Sequence, residues 1–143
     1  MRLDFMAAVI GAFLFTGSAS AQNTVPIDLV QEKLIKTYLV TFNDANLTGN
    51  YTVLHAKLSK PFRDQFNAEK LKQAFKGFAD QKVDIGIIVT KQPIATTPTV
   101  IDSRGALVVR GHFDTTPSRV TYELDFLPSE NEWKPINIHV TVK

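Results

Sequence analysis

No cysteine occurs among the 143 residues. That absence removes disulfides, thiolate metal sites, a Cys nucleophile and any lipid-anchoring Cys at a processing site. Histidine is scarce too. His55, His112 and His139 stand far apart, and none pairs with another at the spacing a zinc site needs, so neither a metal nor another cofactor is expected. The chain also lacks a Gly-rich phosphate loop, a nucleophile elbow and a locally placed Ser, His and Asp set, which leaves it without a catalytic signature. Net charge is only +2, and no aromatic residues interleave the lysines on their outward side, so nucleic acid is not an expected partner.

What is present begins with the pattern of an export signal. Arg2 precedes an apolar run from Met6 to Phe15, and a small-residue stretch ends at Ala19-Ser20-Ala21. This layout predicts a signal peptide over residues 1–21, cut after Ala21, and a single domain over 22–143. The apolar run is well short of the roughly 20 residues that span a bilayer, and no later stretch is both long and uncharged enough. A short signal with no cysteine suits a bacterial periplasmic or secreted protein.

The first half of the domain has helical period. Asp28, with Gln31 three positions on, predicts a capping box, and Leu34, Ile35, Tyr38, Leu39 and Phe42 follow as an apolar stripe ending near Asp44 to Asn46. Asn50 is placed to cap a short second helix carrying Tyr51, Leu54 and Leu58. Ser59 and Pro61 start a further turn, and Asn67 caps the third main helix, with Glu69 in its first turn. Lys57, Lys60, Arg63, Lys70, Lys72, Lys76 and Lys82 make this half locally basic, which reads as a solvated face.

From Val83 the period becomes two. Val83, Ile85, Ile87 and Val89 predict a first strand, although Ile88 blurs it, and Pro93 to Ile101 predicts an irregular edge. The last segments are cleaner. Leu107, Val109 and Phe113 oppose Arg110, His112 and Asp114; Val120, Tyr122, Leu124 and Phe126 oppose Thr121, Glu123 and Asp125; Ile136, Ile138, Val140 and Val142 oppose Asn137, His139 and Thr141. Strands that alternate in this way are half-buried and antiparallel. A bulge near Gly111 would turn His112 and Asp114 inward, but the alternation keeps them outward. Helices followed by a meander predict an α+β fold, with three N-terminal helices packed on one curved antiparallel sheet of four to five strands.

This order resembles the nuclear transport factor 2-like superfamily, the SnoaL-like or cystatin-like α+β cone. The resemblance rests on the long first helix, Asn50-Tyr51, Leu58-Ser59-Lys60-Pro61-Phe62-Arg63, Gly105-Ala106-Leu107 and Glu132-Trp133-Lys134-Pro135-Ile136. It implies a pocket inside the cone, with Tyr38, Phe42, Tyr51, Tyr122 and Trp133 as candidates to line it around a small apolar ligand. It also implies homodimer pairing through the outer sheet face, where Arg110, His112, Glu123 and His139 lie. Isomerase and cyclase relatives place a proton-transferring carboxylate or His in the cone. Here only Tyr122 is polar on that face, with Asp44 and Asp84 as the carboxylates nearest its rim. The expectation is an exported, non-catalytic binding or interaction module, and the alternative is a cone-interior isomerase or cyclase.

Overall fold

A computed structural model describes residues 5–10 and 24–143; the expected cleavage point after Ala21 lies outside them. The arrangement is α+β, with a short leading strand, then the helices, and an antiparallel meander last.

The first helix, α1 (Asp28–Thr48), buries Ile35, Tyr38, Leu39 and Phe42 on one side. These are the three- and four-residue offsets that share a helix face. Ile27, not Asp28, takes the cap position, and it offers no side-chain cap. Asp28 sits inside the first turn, where its charge still favours the helix dipole, and Gln31 Nε2 ties the entry to the Pro26 carbonyl at 2.7 Å. The helix stops at Gly49, whose φ of 73° lets its N–H reach back to the Ala45 carbonyl.

Four short helices follow where two were expected: α2 (Thr52–Lys57), α3 (Lys60–Gln65), α4 (Ala68–Ala74) and α5 (Lys76–Asp80). The Ser59-Pro61 turn continues into α3, with Pro61 in its first turn, where the missing N–H costs nothing. Asn67 caps α4 as expected, its side chain accepting from the Lys70 N–H at 2.8 Å. The periodic stretch beyond it breaks at Phe75, giving α4 and α5 in place of one helix. Phe75 and Phe78 turn inward there and meet Phe42 edge-on, with ring centroids 4.8 and 5.1 Å away.

The strand predicted over Val83 to Val89 does not form. Gly86–Thr90 is a 3₁₀ turn that buries Ile85 and Ile88, three apart, and leaves Ile87 and Val89 exposed. Polar side chains decide this. Asp84 Oδ1 accepts from the Gly86 N–H at 2.8 Å, and Asn43 on α1 donates to Asp84 Oδ1 at 2.9 Å while accepting from the Ile85 N–H at 3.0 Å. With its backbone groups satisfied locally and from α1, this segment has no call on a neighbouring strand.

The sheet contains β1 (Phe5–Ile10), β2 (Ile94–Ala95), β3 (Val100–Ile101), β4 (Leu107–Phe113), β5 (Val120–Ser129) and β6 (Glu132–Val142). Its order is β1-β6-β5-β4-β2, with β3 also on β4. The predicted edge at Pro93 to Ile101 is thus two short strands. Part of the expected leader, β1, pairs antiparallel with β6. No bulge forms at Gly111, because β4 pairs residue for residue with β5 throughout. The irregularity lies between β5 and β6, where Asp125 faces Asn137 but Phe126 faces Pro135. One extra residue in β6 reverses its facing there.

Candidate functional site

That reversal shapes a half-open concavity beside the core. Phe126 faces α1, its ring 5.6 Å from that of Tyr38. The register sets Pro135 opposite Phe126 and Trp133 opposite Pro128, so Trp133 reaches the helix side of the sheet. An unbroken alternation from Ile136 would have sent it outward. Pro135, which has no N–H to give a ladder, was the sign of irregularity in the sequence.

The result is a half-open groove of about 400 Å³ between α1, the end of α2 and the β5–β6 turn. Val30, Leu34, Tyr38, Ala56 and Trp133 supply apolar surface, and Lys33, Thr37, Lys57 and Glu132 supply polar groups. Burial, with Glu132 adding to it, pushes the Tyr38 hydroxyl up to about 12, so it stays protonated as a donor. Its present acceptor is the Trp133 carbonyl at 3.5 Å, a length at which little of the bond's strength remains. A better acceptor in the groove would take that proton. Among the described residues Lys33 and Lys57 form no ion pair. Lys134 is held by Glu130, whose carboxyl is in turn drawn down to about 2 by hydrogen bonds from Lys134 and Arg63.

Of the five residues expected to line a pocket, Tyr38 and Trp133 meet at this groove. Phe42, Tyr51 and Tyr122 lie in the packed core. Tyr51 hydrogen-bonds Asn46 Oδ1 and stacks over Phe75 at 6.5 Å, and burial raises its hydroxyl's pKa. Tyr122 is 1 % exposed, lies 5.5 Å from Phe113 and is pushed by burial to about 12. Asp84 serves the 3₁₀ turn, where the Gly86 N–H and Asn43 hold its pKa below the usual range, and Asp44 is exposed. Sequence reasoning missed Val30, Lys33, Thr37, Ala56 and Lys57. The spacing of Val30, Lys33 and Thr37 with Leu34 and Tyr38 along one side of α1 was the only signal for the first three, and Ala56 and Lys57 on α2 had none.

Three of the four residues named for the outer sheet face, Arg110, Glu123 and His139, form a connected row. Arg110 Nη1 meets Asp125 at 2.8 Å, Arg110 Nε lies 3.9 Å from Glu123, and Glu123 reaches His139 Nδ1 at 3.2 Å. Arg104 also grips Asp125, at 3.1 Å, and His112 lies 3.3 Å from Asp114. Asp125 is 5 % exposed, and two guanidinium groups compensate its buried charge. No family model, curated protein or solved structure matches this chain. Among the described residues, no helix is long and apolar enough to cross a membrane.

Proposed function

We propose that this chain is an exported, non-catalytic binding module of the nuclear transport factor 2-like kind, acting in the periplasm or outside the cell. Its ligand is small and mostly apolar, with an anionic end, and it lies in the groove between α1 and Trp133. The observation that carries this is the groove itself. Its volume of about 400 Å³ falls within the range of small-molecule sites, and its apolar walls with a few placed polar groups have the usual composition of one. Lys33 and Lys57 lie at its rim, where a carboxylate or sulfonate would neutralise them. The weakly bonded Tyr38 hydroxyl offers a donor deeper in. That hydroxyl holds its proton to about pH 12, which supports a binding role over proton transfer. The helices-then-meander order supports the superfamily resemblance, and the leader pattern supports export.

Trp133 is the sole tryptophan, so intrinsic fluorescence reports this site directly. Titration with decanoate should shift Trp133 emission saturably. Tyr38→Ala should weaken binding about tenfold, roughly the 1.4 kcal/mol of one good polar contact. Lys33→Glu should weaken decanoate and leave decanol unaffected. Emission unmoved by either compound would end the proposal.

A further inference from the structure

The seat of β1 on β6 has two unlike sides. In register, Phe5, Ala7 and Val9 oppose Val142, Val140 and Ile138, which are buried on the helix side. Met6, Ala8 and Ile10 oppose Thr141, His139 and Asn137 on the outer side. Two of those three carry a buried polar atom without a hydrogen-bond partner among the described residues, Asn137 Oδ1 and His139 Nε2. Asn137 is 6 % exposed, so water cannot readily substitute, and such orphaned groups are uncommon and costly in folded proteins. Both atoms ask for donors. Asn137 Oδ1 is an acceptor by nature, and His139, if its Nδ1–H donates to Glu123 across 3.2 Å, is left with an acceptor at Nε2.

Residues 8 and 10 are alanine and isoleucine, which have no side-chain donor to offer. At those two register positions the chain's own strand therefore brings no side-chain donor. We propose that the seat is a strand-accepting site: once residues 1–21 are removed, an extended segment of another protein adds antiparallel to β6. That segment is apolar at the inward positions and bears hydroxyl or amide groups at the outward ones. This inference rests on the export reading proposed above, since cleavage is what vacates the seat. Main-chain bonds to an open sheet edge would supply affinity, and the alternate side chains specificity. A single strand is the fitting occupant because α4 and α5 already lie over the place of β1. A second copy's β6 would arrive there with its own helices on the same side.

The full-length chain is expressed for export and the recovered protein weighed, then probed with labelled peptides. One peptide carries residues 5–10, one carries Met6→Thr, Ala8→Ser and Ile10→Thr within it, and one carries Ala7→Asp. The expected protein begins at Gln22. The hydroxyl-bearing peptide should bind it at least tenfold tighter than the native sequence and slow amide exchange across Asn137 to Val142, and the Ala7→Asp peptide should not bind. If processed protein is unfolded alone but folds with the hydroxyl-bearing peptide, the site is equally supported. A recovered chain still carrying residues 1–21 would overturn the export reading, and the vacant seat with it. Processed protein whose β6 amides ignore all three peptides, or that binds the first two equally, would overturn the strand site alone. A two-subunit mass with β6 protected before any peptide is added would give the seat to a second copy and overturn the partner strand.

Discussion

Gly111 on β4 lies directly opposite Tyr122 on β5, and the Tyr122 phenol fills the space a side chain on Gly111 would need. A Cβ at that position would sit 2.8 Å from Tyr122 Cζ and 2.5 Å from the Ile94 carbonyl oxygen on β2. Three strands therefore close on one residue with no side chain. Gly111→Ala should destabilise the fold by about 1–3 kcal/mol, the usual cost of overpacking. Adding Tyr122→Phe should return only part of that, because the Ile94 backbone cannot retreat as a ring can. Urea unfolding of the single and double variants measures the coupling. Full additivity would show that the two residues do not press on each other.

Tyr38 and Tyr122 should make the fold sensitive to alkali. Both hydroxyls are pushed from 10.0 to about 12, by burial above all, so folding favours their neutral forms. Their contribution is complete below pH 10 and is lost as pH rises through about 12. At roughly 1.4 kcal/mol for each tenfold preference, each ring accounts for about 2–3 kcal/mol of that loss. Burial raises the pKa of Tyr51 as well, so absorbance at 295 nm should show no tyrosine titrating at the ordinary value of about 10 while the chain stays folded. Tyr38→Phe and Tyr122→Phe should each flatten the fall in stability between pH 10 and 12.

Asn43 joins α1 to the 3₁₀ turn through two hydrogen bonds made from a nearly buried side chain. Asn43→Ala would leave the Ile85 N–H without its acceptor, a loss of about 1–3 kcal/mol. Amide exchange at Ile85 should accelerate in that variant more than exchange in β5. Equal acceleration in both places would point to global loosening.

At acid pH, Glu130 is the group to watch. Lys134 and Arg63 hold its pKa at about 2, below the ordinary 4.5. Its stabilising contribution is present above pH 4.5 and disappears as pH falls through about 2. The side chain is exposed, so screening should weaken the effect. Glu130→Gln should bring the low-pH unfolding curves at low and high salt closer together. If salt acts equally on both proteins, the Arg63–Glu130–Lys134 cluster contributes little.

The sequence made the meander from Leu107 to Val142 legible because each strand has one wet face and one dry face, and a period of two follows directly. The helices from Asp28 to Asp80 were legible as a class but not in number, since nothing in the apolar spacing marks the break at Phe75. The stretch from Val83 to Val89 misled because its alternation is real, while the outcome depends on Asn43, some forty positions earlier. The groove stayed hidden for a similar reason. It needs Trp133 on the helix side of the sheet, and one extra residue near Pro135 decides that. Tyr38 could be named from the sequence, but Lys57 beside it read only as solvated charge, and nothing in the pattern singled out Lys33.

The pairing of Phe5 with Val142 also sets an order of events. The first strand of the sheet cannot dock until almost the last residue has been synthesised, and the loop it closes is nearly as long as the chain, the slowest kind of contact to form. While the protein is being made, residues 5–10 have no β6 to pair with. On the export proposed above, an apparatus that recognises this segment would meet it before β6 exists, and the time left for capture would be the time needed to translate everything behind it.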